Sequence, residues 1–218
     1  MHSFIYLASQ SPRRQELLTQ IGVKFQLLLA DPSEDVESLE IQLPHEPALV
    51  YVKRVTLAKL TAAKQRLLTK QLKQELPSAP ILCADTTVAL TLEDGKEIIL
   101  GKPADQQDAK RILQLLSGKT HQVHTAVAVL GKPDMNDNQP KLLVSSSQVT
   151  FKSLTDEEIN AYILTNEPMG KAGAYGIQGI GACLISDISG SYSGIMGLPL
   201  YETSQLLNET GVKFSLKP

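Results

Sequence analysis

Two adjacent arginines, Arg13 and Arg14, lie at the predicted start of a helix in the stretch LASQSPRRQELL. Pro12 suits the first helical position, and the leucines that follow supply an apolar stripe. The first turn of a helix carries the positive end of its dipole, so each arginine there is disfavoured by roughly 0.3–1 kcal/mol unless an anion is present. The pair therefore predicts an anion-binding site.

One acid, Asp85, interrupts an otherwise apolar run at residues 80–90. Burying a bare carboxylate costs several kcal/mol, so this group must be hydrogen-bonded, paired with a cation or bound to a metal. From its position alone, two interpretations of Asp85 are equally favoured. It is either a functional acid or an acid at a strand end that accepts backbone hydrogen bonds.

Two lysines are candidates for contact with a phosphate. Lys102 lies in the sequence LGKP, where Gly101 permits close approach of the backbone, and Lys59 lies in a predicted long helix. Such an ammonium group can act as a compact charge on a phosphate. A single lysine is, however, most often a solvated surface residue, so neither is decisive alone.

The segment at residues 170–181 is rich in glycine and could bring main-chain amides close to a ligand. A set of tight turns is the commoner use of such a composition. Within the segment, the amide of Gln178 can both donate and accept hydrogen bonds, as reading the edge of a base requires.

Several classes of function are disfavoured by the sequence. It lacks zinc-type Cys/His spacing, the GxxxxGK[ST] phosphate loop and the GxSxG nucleophile elbow. A net charge of −2 argues against a nucleic-acid-coating protein, and we expect no signal peptide and no membrane helix. Cys83 and Cys183 lie in apolar runs and are interpreted as buried free thiols, which favours a reducing, cytoplasmic setting.

The elements that must position these residues mix strands and helices without a strict βαβ rhythm. Strands are predicted at residues 4–8, 24–30, 80–90, 97–100, 120–130 and 141–151. Helices are predicted at residues 11–20, 47–76, 105–117, 155–165 and 199–207, with a polar loop at 133–140. This order predicts an α/β protein with a mixed sheet, and the chain of 218 residues has no linker that would divide it into separate domains.

Six motifs occur in order along the chain: LASQSPRRQELL, ADTTV, LGKP, RILQLLSGKTHQVHT, AGAYGIQGIG and GSYSGIMGLPL. Together they resemble the Maf family of nucleotide pyrophosphatases over nearly the whole chain. The resemblance implies one domain, residues 1–218, with an elongated mixed sheet, flanking helices and two lobes around a cleft, as in inosine triphosphate pyrophosphatases. It also implies hydrolysis of a nucleoside triphosphate to monophosphate and pyrophosphate, a divalent cation (Mg²⁺ or Mn²⁺) and a homodimer.

The resemblance assigns roles to individual positions of this sequence. Those that match phosphate-binding residues of the family are Ser9, Arg13, Arg14, Lys59 and Lys102. Asp85 matches the acid that accepts a proton and helps to hold the metal, and Glu34 matches a second metal-holding acid. Glu97 is a candidate match for a further acid in the hairpin between Asp85 and Lys102.

Three positions separate the branches of the family by substrate. The branch acting on dTTP and UTP has Arg, Thr and Gln, which are Arg13, Thr86 and Gln178 here. The 7-methyl-GTP branch has Trp, Gln and Glu, and a Trp and a Glu suit a cationic base. The resemblance thus implies house-cleaning hydrolysis of dTTP and UTP, with CTP and modified pyrimidine nucleotides as further candidates. The alternatives are a 7-methyl-GTP or ITP pyrophosphatase, or a nucleotide-binding regulator of septum formation with little turnover.

Overall fold

Seven strands form one mixed sheet flanked by helices, which confirms the predicted α/β class. The computed structural model describes residues 2–73, 75–131 and 139–216, so most of the loop predicted at 133–140 lies outside the described residues. The strands are β1 (Ile5–Leu7), β2 (Phe25–Leu27), β3 (Ile81–Thr91), β4 (Glu97–Leu100), β5 (Thr120–Leu130), β6 (Lys141–Phe151) and β7 (Ile185–Ser189). The helices are α1 (Pro12–Gln20), α2 (Ala48–Leu72), α3 (Gln106–Leu116), α4 (Asp156–Leu164), α5 (Tyr192–Met196) and α6 (Leu200–Glu209).

Strand β3 has two different partners along one of its edges. The sheet order is β2-β1-β3-β5-β6-β7, with β4 also pairing with β3. On one edge β3 pairs with β5 from Ile81 to Ala89. On the other edge, β1 pairs in parallel with Ile81 and Leu82, and β4 pairs in antiparallel register with residues 88–91. Residues 83–87 therefore have neither β1 nor β4 opposite them, and this interval is referred to below as the β3 gap.

The side chains of β3 alternate between the two faces of the sheet, as in any strand. Ile81 and Cys83 join a core cluster with residues of α2, whereas Leu82 and Ala84 join a cluster with residues of α1 and α6. Val88, farther along the strand, belongs to a third cluster with residues of α3 and α4. Both faces of the β3 gap are thus covered by helices that can bring charged side chains to it.

Most predicted elements are present, and the differences lie at the ends of elements and in the glycine-rich part of the chain. Helix α2 ends at Leu72, and β2 is shorter than the segment predicted for it. The glycine-rich C-terminal part also contains β7 and α5, which the sequence analysis did not predict.

The structure also shows the environments of the two cysteines and of the residue before α1, and how apolar the helices are. Cys183 is exposed rather than buried, because it lies in a surface 3₁₀ turn, whereas Cys83 is buried as expected. Ser, a residue type that often caps helices, precedes α1 at position 11, but its side chain caps nothing there, and its N–H donates to the Ser9 hydroxyl at 3.2 Å. Of the helices in the described ranges, none has both the length and the apolar character needed to cross a lipid bilayer.

Candidate active site

A cleft of about 570 Å³ opens at the β3 gap, a volume in the usual range for small-molecule sites. Every site residue predicted from the sequence lines this cleft except Glu34 and Glu97: Ser9, Arg13, Arg14, Lys59, Asp85, Thr86, Lys102 and Gln178. Residues from separate parts of the chain therefore meet in one place.

The two arginines of α1 have different environments. Arg14 is fixed: its Nε donates to the Gly197 carbonyl at 2.7 Å, and its Nη1 donates to Ser9 Oγ at 3.1 Å. Burial lowers the pKa of Arg14 while the charge of Asp85 opposes the change, and a guanidinium remains protonated in any case. Arg13 is only partly buried, and the acids that act on its pKa are Glu16 and Glu167.

Asp85 and Thr86 are neighbours in sequence but point to opposite faces of β3. Asp85 faces α2, where its Oδ1 accepts a hydrogen bond from Lys59 Nζ at 2.6 Å. Thr86 faces α1, where its hydroxyl oxygen accepts from Arg14 Nη2 at 3.4 Å and from Thr125 Oγ1 at 3.0 Å. The β3 gap thus brings the acid and the buried arginine to the same cleft from different sides.

The Lys59 ammonium lies between two carboxylates. Its Nζ is 2.6 Å from Asp85 Oδ1 and 2.7 Å from Glu40 Oε1. Burial alone would lower the pKa of Lys59, but Asp85 and Glu40 outweigh that effect and raise it. The second oxygen of Glu40 is 3.1 Å from Nζ of Lys102, whose side chain is largely exposed. Acids and lysines therefore alternate along one wall of the cleft.

Glu40 is a site residue that the sequence analysis missed. It lies in a short 3₁₀ turn, Ser38–Glu40, and its carbonyl accepts a hydrogen bond from the Tyr51 hydroxyl at 2.8 Å. Arg54 of α2 holds the next residue by donating to the Ile41 carbonyl at 2.9 Å. The segment at residues 34–40 contains four acids without periodicity, so no sequence signal distinguishes the one that reaches the lysines.

The two other predicted acids have structural partners. Both carboxylate oxygens of Glu34 accept hydrogen bonds from the buried Arg66, at 2.8 and 2.6 Å. Arg66 also donates to the Leu28 carbonyl at 2.8 Å, so the pair ties the loop after β2 to α2. Glu97 accepts from the backbone N–H of Ala48 at 2.7 Å and thereby caps the start of α2.

The glycine-rich segment forms the opposite wall. The N–H of Gly173 donates to the Gly101 carbonyl at 3.1 Å, which ties this segment to the loop that carries Lys102. Gly173 has φ +71°, and a Cβ built there would lie 2.9 Å from a methyl of Val88, so a larger residue does not fit. This close contact holds the segment against β3, and Gln178 follows it in the lining of the cleft.

The residues present suit a divalent cation shared with a phosphate ligand. Within the described residues, no group of three or more His, Cys, Asp or Glu side chains is arranged to hold a metal. Asp85 and Glu40 supply two carboxylates in the cleft, both turned toward Lys59. Mg²⁺ is commonly held by one or two carboxylates plus phosphate oxygens, so this donor set fits a metal that arrives with its substrate.

The Maf-like protein family model matches residues 4–210, nearly the whole chain. The chain belongs to the Maf family. This Maf chain is 52% identical over 213 residues to the dTTP/UTP pyrophosphatase of Albidiferax ferrireducens, an alignment that covers 98% of this chain and 100% of the relative. It is 51% identical over 214 residues to the protein of the same name from Cupriavidus pinatubonensis, again covering 98% and 100%.

A solved structure of a HAM1 protein from Coxiella burnetii resembles the Maf chain in fold. The two superimpose with a TM-score of 0.50 over 95% of this chain and 100% of that one, at 15% sequence identity. At this identity the likeness concerns the fold alone, which agrees with the mixed sheet described above.

The charge arrangement around Lys59 predicts how Glu40 titrates. Burial would raise the pKa of Glu40, but Lys59 and Lys102 outweigh it and lower the pKa. Glu40 should therefore stay ionised as the pH falls through the ordinary carboxyl range, and its contacts with the lysines should be lost only below that range. In Lys59→Met only Lys102 opposes the effect of burial, so the pKa of Glu40 should rise. Carboxyl ¹³C NMR of labelled glutamate measures both titrations.

The matched control is Lys53→Met, which removes an exposed lysine from the same helix and should leave the titration of Glu40 unchanged. An equal titration of Glu40 in the wild type and Lys59→Met would show that Lys59 does not neutralise it.

Proposed function

We propose that this Maf protein hydrolyses dTTP and UTP to the monophosphate and pyrophosphate. The observation that carries the proposal is the cleft itself, where an acid in the β3 gap lies beside a lysine pair and an arginine pair. Relatives about half identical over nearly the full chain carry the name dTTP/UTP pyrophosphatase. Arg13, Thr86 and Gln178, the three residues typical of the dTTP and UTP branch, all line the cleft.

In this proposal the reaction is an in-line displacement at the α-phosphorus. A water oxygen forms the new bond to phosphorus, the bridging bond to the β-phosphate breaks, and pyrophosphate leaves with the electron pair. Asp85 accepts the proton of the attacking water at Oδ2, because Oδ1 already accepts from Lys59. The hydrogen bond from Lys59 fixes the orientation of the Asp85 carboxylate.

The cations of the cleft stabilise the charge that develops on the phosphates. Arg13 and Lys102 are accessible enough to contact the triphosphate directly. Each guanidinium nitrogen of Arg14 donates to a protein group, so Arg14 contributes its charge from a fixed position in the cleft lining. Preorganised cations of this kind stabilise the charge that develops in the transition state, because they need not reorganise during the reaction.

A divalent cation, Mg²⁺ or Mn²⁺, belongs to the proposal as a cofactor that neutralises phosphate oxygens and lowers the pKa of a bound water. Asp85 and Glu40 would hold it. The family resemblance gave the role of second metal-holding acid to Glu34, and we assign it to Glu40 instead. Both oxygens of Glu34 accept hydrogen bonds from Arg66, whereas Glu40 lines the cleft.

We further propose one domain with two lobes, a homodimer and a cytoplasmic location. Core clusters at the two ends of β3, on either side of the cleft, support the lobes. Two free cysteines, one of them exposed, fit a reducing compartment. The house-cleaning role, which is the removal of unwanted nucleotides, follows from the proposed activity.

The test of the function is pyrophosphate release from a panel of dTTP, UTP, CTP, 7-methyl-GTP and ITP with Mg²⁺ or Mn²⁺. We expect fast release from dTTP and UTP that a chelator abolishes. Preference for 7-methyl-GTP or ITP would contradict the pyrimidine assignment but keep the chemistry. Nucleotide binding without release would favour the regulator of septum formation.

Removing the proton acceptor should separate turnover from binding. In Asp85→Asn, the amide cannot take the proton of the attacking water, so kcat should fall about 10²- to 10⁴-fold. The affinity for dTTP, measured by calorimetry, should persist because the cations remain. The control Asp187→Asn changes an exposed aspartate on β7 and should leave kcat unchanged. If Asp85→Asn kept more than a third of the wild-type kcat, Asp85 would not be the acceptor.

The metal contact is tested by comparing two glutamates of one segment. Glu40→Gln should raise the Mg²⁺ concentration for half-maximal activity on the order of tenfold or more, since one carboxylate ligand is lost. Glu34→Gln should leave that concentration unchanged and lower the urea midpoint of unfolding, since Arg66 loses its partner. The reverse pattern would return the metal role to Glu34.

A further inference from the structure

Lys171 lines the cleft but has no part in the chemistry proposed above. Its ammonium donates to the carbonyl of Glu167, so the side chain folds over its own loop instead of extending into solvent. Burial lowers the pKa of Lys171, and the nearby charge of Arg13 lowers it further. A partly desolvated cation with donors to spare is thus held inside the cleft.

Several hydrogen bonds fix the backbone of the loop around Lys171. The Tyr162 hydroxyl donates to the Glu167 carboxylate at 2.8 Å and accepts from the N–H of Gly176 at 3.1 Å. The same carboxylate accepts from the N–H groups of Ile180 and Gly181, both at 2.9 Å. These bonds hold the backbone on both sides of Gln178 in a fixed position.

Lys171 and Gln178 lie side by side over one glycine. A Cβ built on Gly176 would be 3.1 Å from Cε of Lys171 and 3.5 Å from Nε2 of Gln178. The absence of a side chain at Gly176 therefore leaves room for the lysine stem and the amide together. A ligand group that reaches Gln178 also comes within reach of the lysine.

This pair belongs to the glycine-rich segment of the cleft lining, apart from Asp85 and Lys59. The Lys171 ammonium donates to the Glu167 carbonyl of its own loop, whereas the Lys59 ammonium contacts Asp85 and Glu40. If the triphosphate lies along Asp85 and Lys59, the base of the same nucleotide extends toward Gln178 and Lys171.

The hydrogen-bonding edges of pyrimidines differ at position 4. Uracil and thymine carry a carbonyl oxygen there, beside the N3–H donor, whereas cytosine carries an amino group beside an acceptor nitrogen. The Gln178 amide can accept from N3–H through its oxygen. An ammonium group only donates, so it matches a carbonyl oxygen and opposes an amino group or a positively charged base.

We propose that Lys171 is a second base-reading residue, which donates from Nζ to the O4 carbonyl of a neutral 4-keto pyrimidine while Gln178 pairs with N3–H. The assignment rests on the proposed function and deepens it by naming the feature of the base that is selected. It explains how one cleft would accept both uracil and thymine, which share this edge, and disfavour cytosine.

The test uses Lys171→Met, which keeps an unbranched side chain close in length to the lysine stem and removes its donors. In the full-length protein, kcat/KM for UTP and dTTP should fall about ten- to a hundredfold while that for CTP changes little, so the UTP/CTP ratio approaches one. Lys171→Arg should restore part of the ratio. Lys24→Met, at an exposed position on the surface, is the matched control and should keep the wild-type ratio.

A purely structural Lys171, acting only on the Glu167 carbonyl, would lower kcat/KM for all three nucleotides equally, and that result would overturn the assignment. So would an unchanged ratio. Calorimetric affinities for UTP and CTP, measured in the presence of chelator, give the same comparison without turnover. If the wild type bound UTP better than CTP but released no pyrophosphate, the proposed function would fail while Lys171→Met still tested base reading.

Discussion

The site depends on the way in which β3 shares one of its edges between two strands. β1 ends its pairing at Leu82, and β4 begins at Val88. In a continuous sheet, a strand would occupy the space beside residues 83–87, and no ligand could approach them. The interruption opens that space while β5, on the other edge, keeps the backbone of β3 rigid. The cleft is therefore a consequence of topology, and the helices on the two faces determine which side chains enter it.

The β3 gap puts a carboxylate inside a sheet, and the surrounding charges make that tolerable. Asp85 loses solvent on entering the sheet, and Lys59 replaces the lost water with an ammonium at 2.6 Å. The lysine is in turn shared with Glu40, so the local charge is nearly balanced without a ligand. Lys59 and Glu40 each have two oppositely charged partners, so an arriving anionic nucleotide can displace one contact of either group without leaving that group unpaired.

The parts of the site that could be predicted from the sequence are those with a local signal. An acid within an apolar run identified Asp85, and paired arginines at a helix start identified Arg13 and Arg14. The elements around them were predicted from apolar runs and from residues typical of helix ends and turns. Glu40 and Lys171 were missed because each lies in a loop, where contacts are set by residues distant in sequence. Glu34 shows the same limit, since the pattern of one segment could not reveal that Arg66 would take both of its oxygens.

The adjacent arginines have different environments because a helix directs successive side chains to different sides. Successive residues of an α-helix are about 100° apart, so Arg13 and Arg14 cannot face the same surroundings. Arg14 turns inward, where Ser9 and the Gly197 carbonyl hold it against the strand that carries Thr86. Arg13 turns toward the cleft, and its charge lowers the pKa of Lys171. Glu167 offsets part of the repulsion between these two cations, and a bound anion or a ring carbonyl would offset more of it. The pair at the start of α1 thus connects the rigid framework of the site to the part of the cleft proposed to read the base.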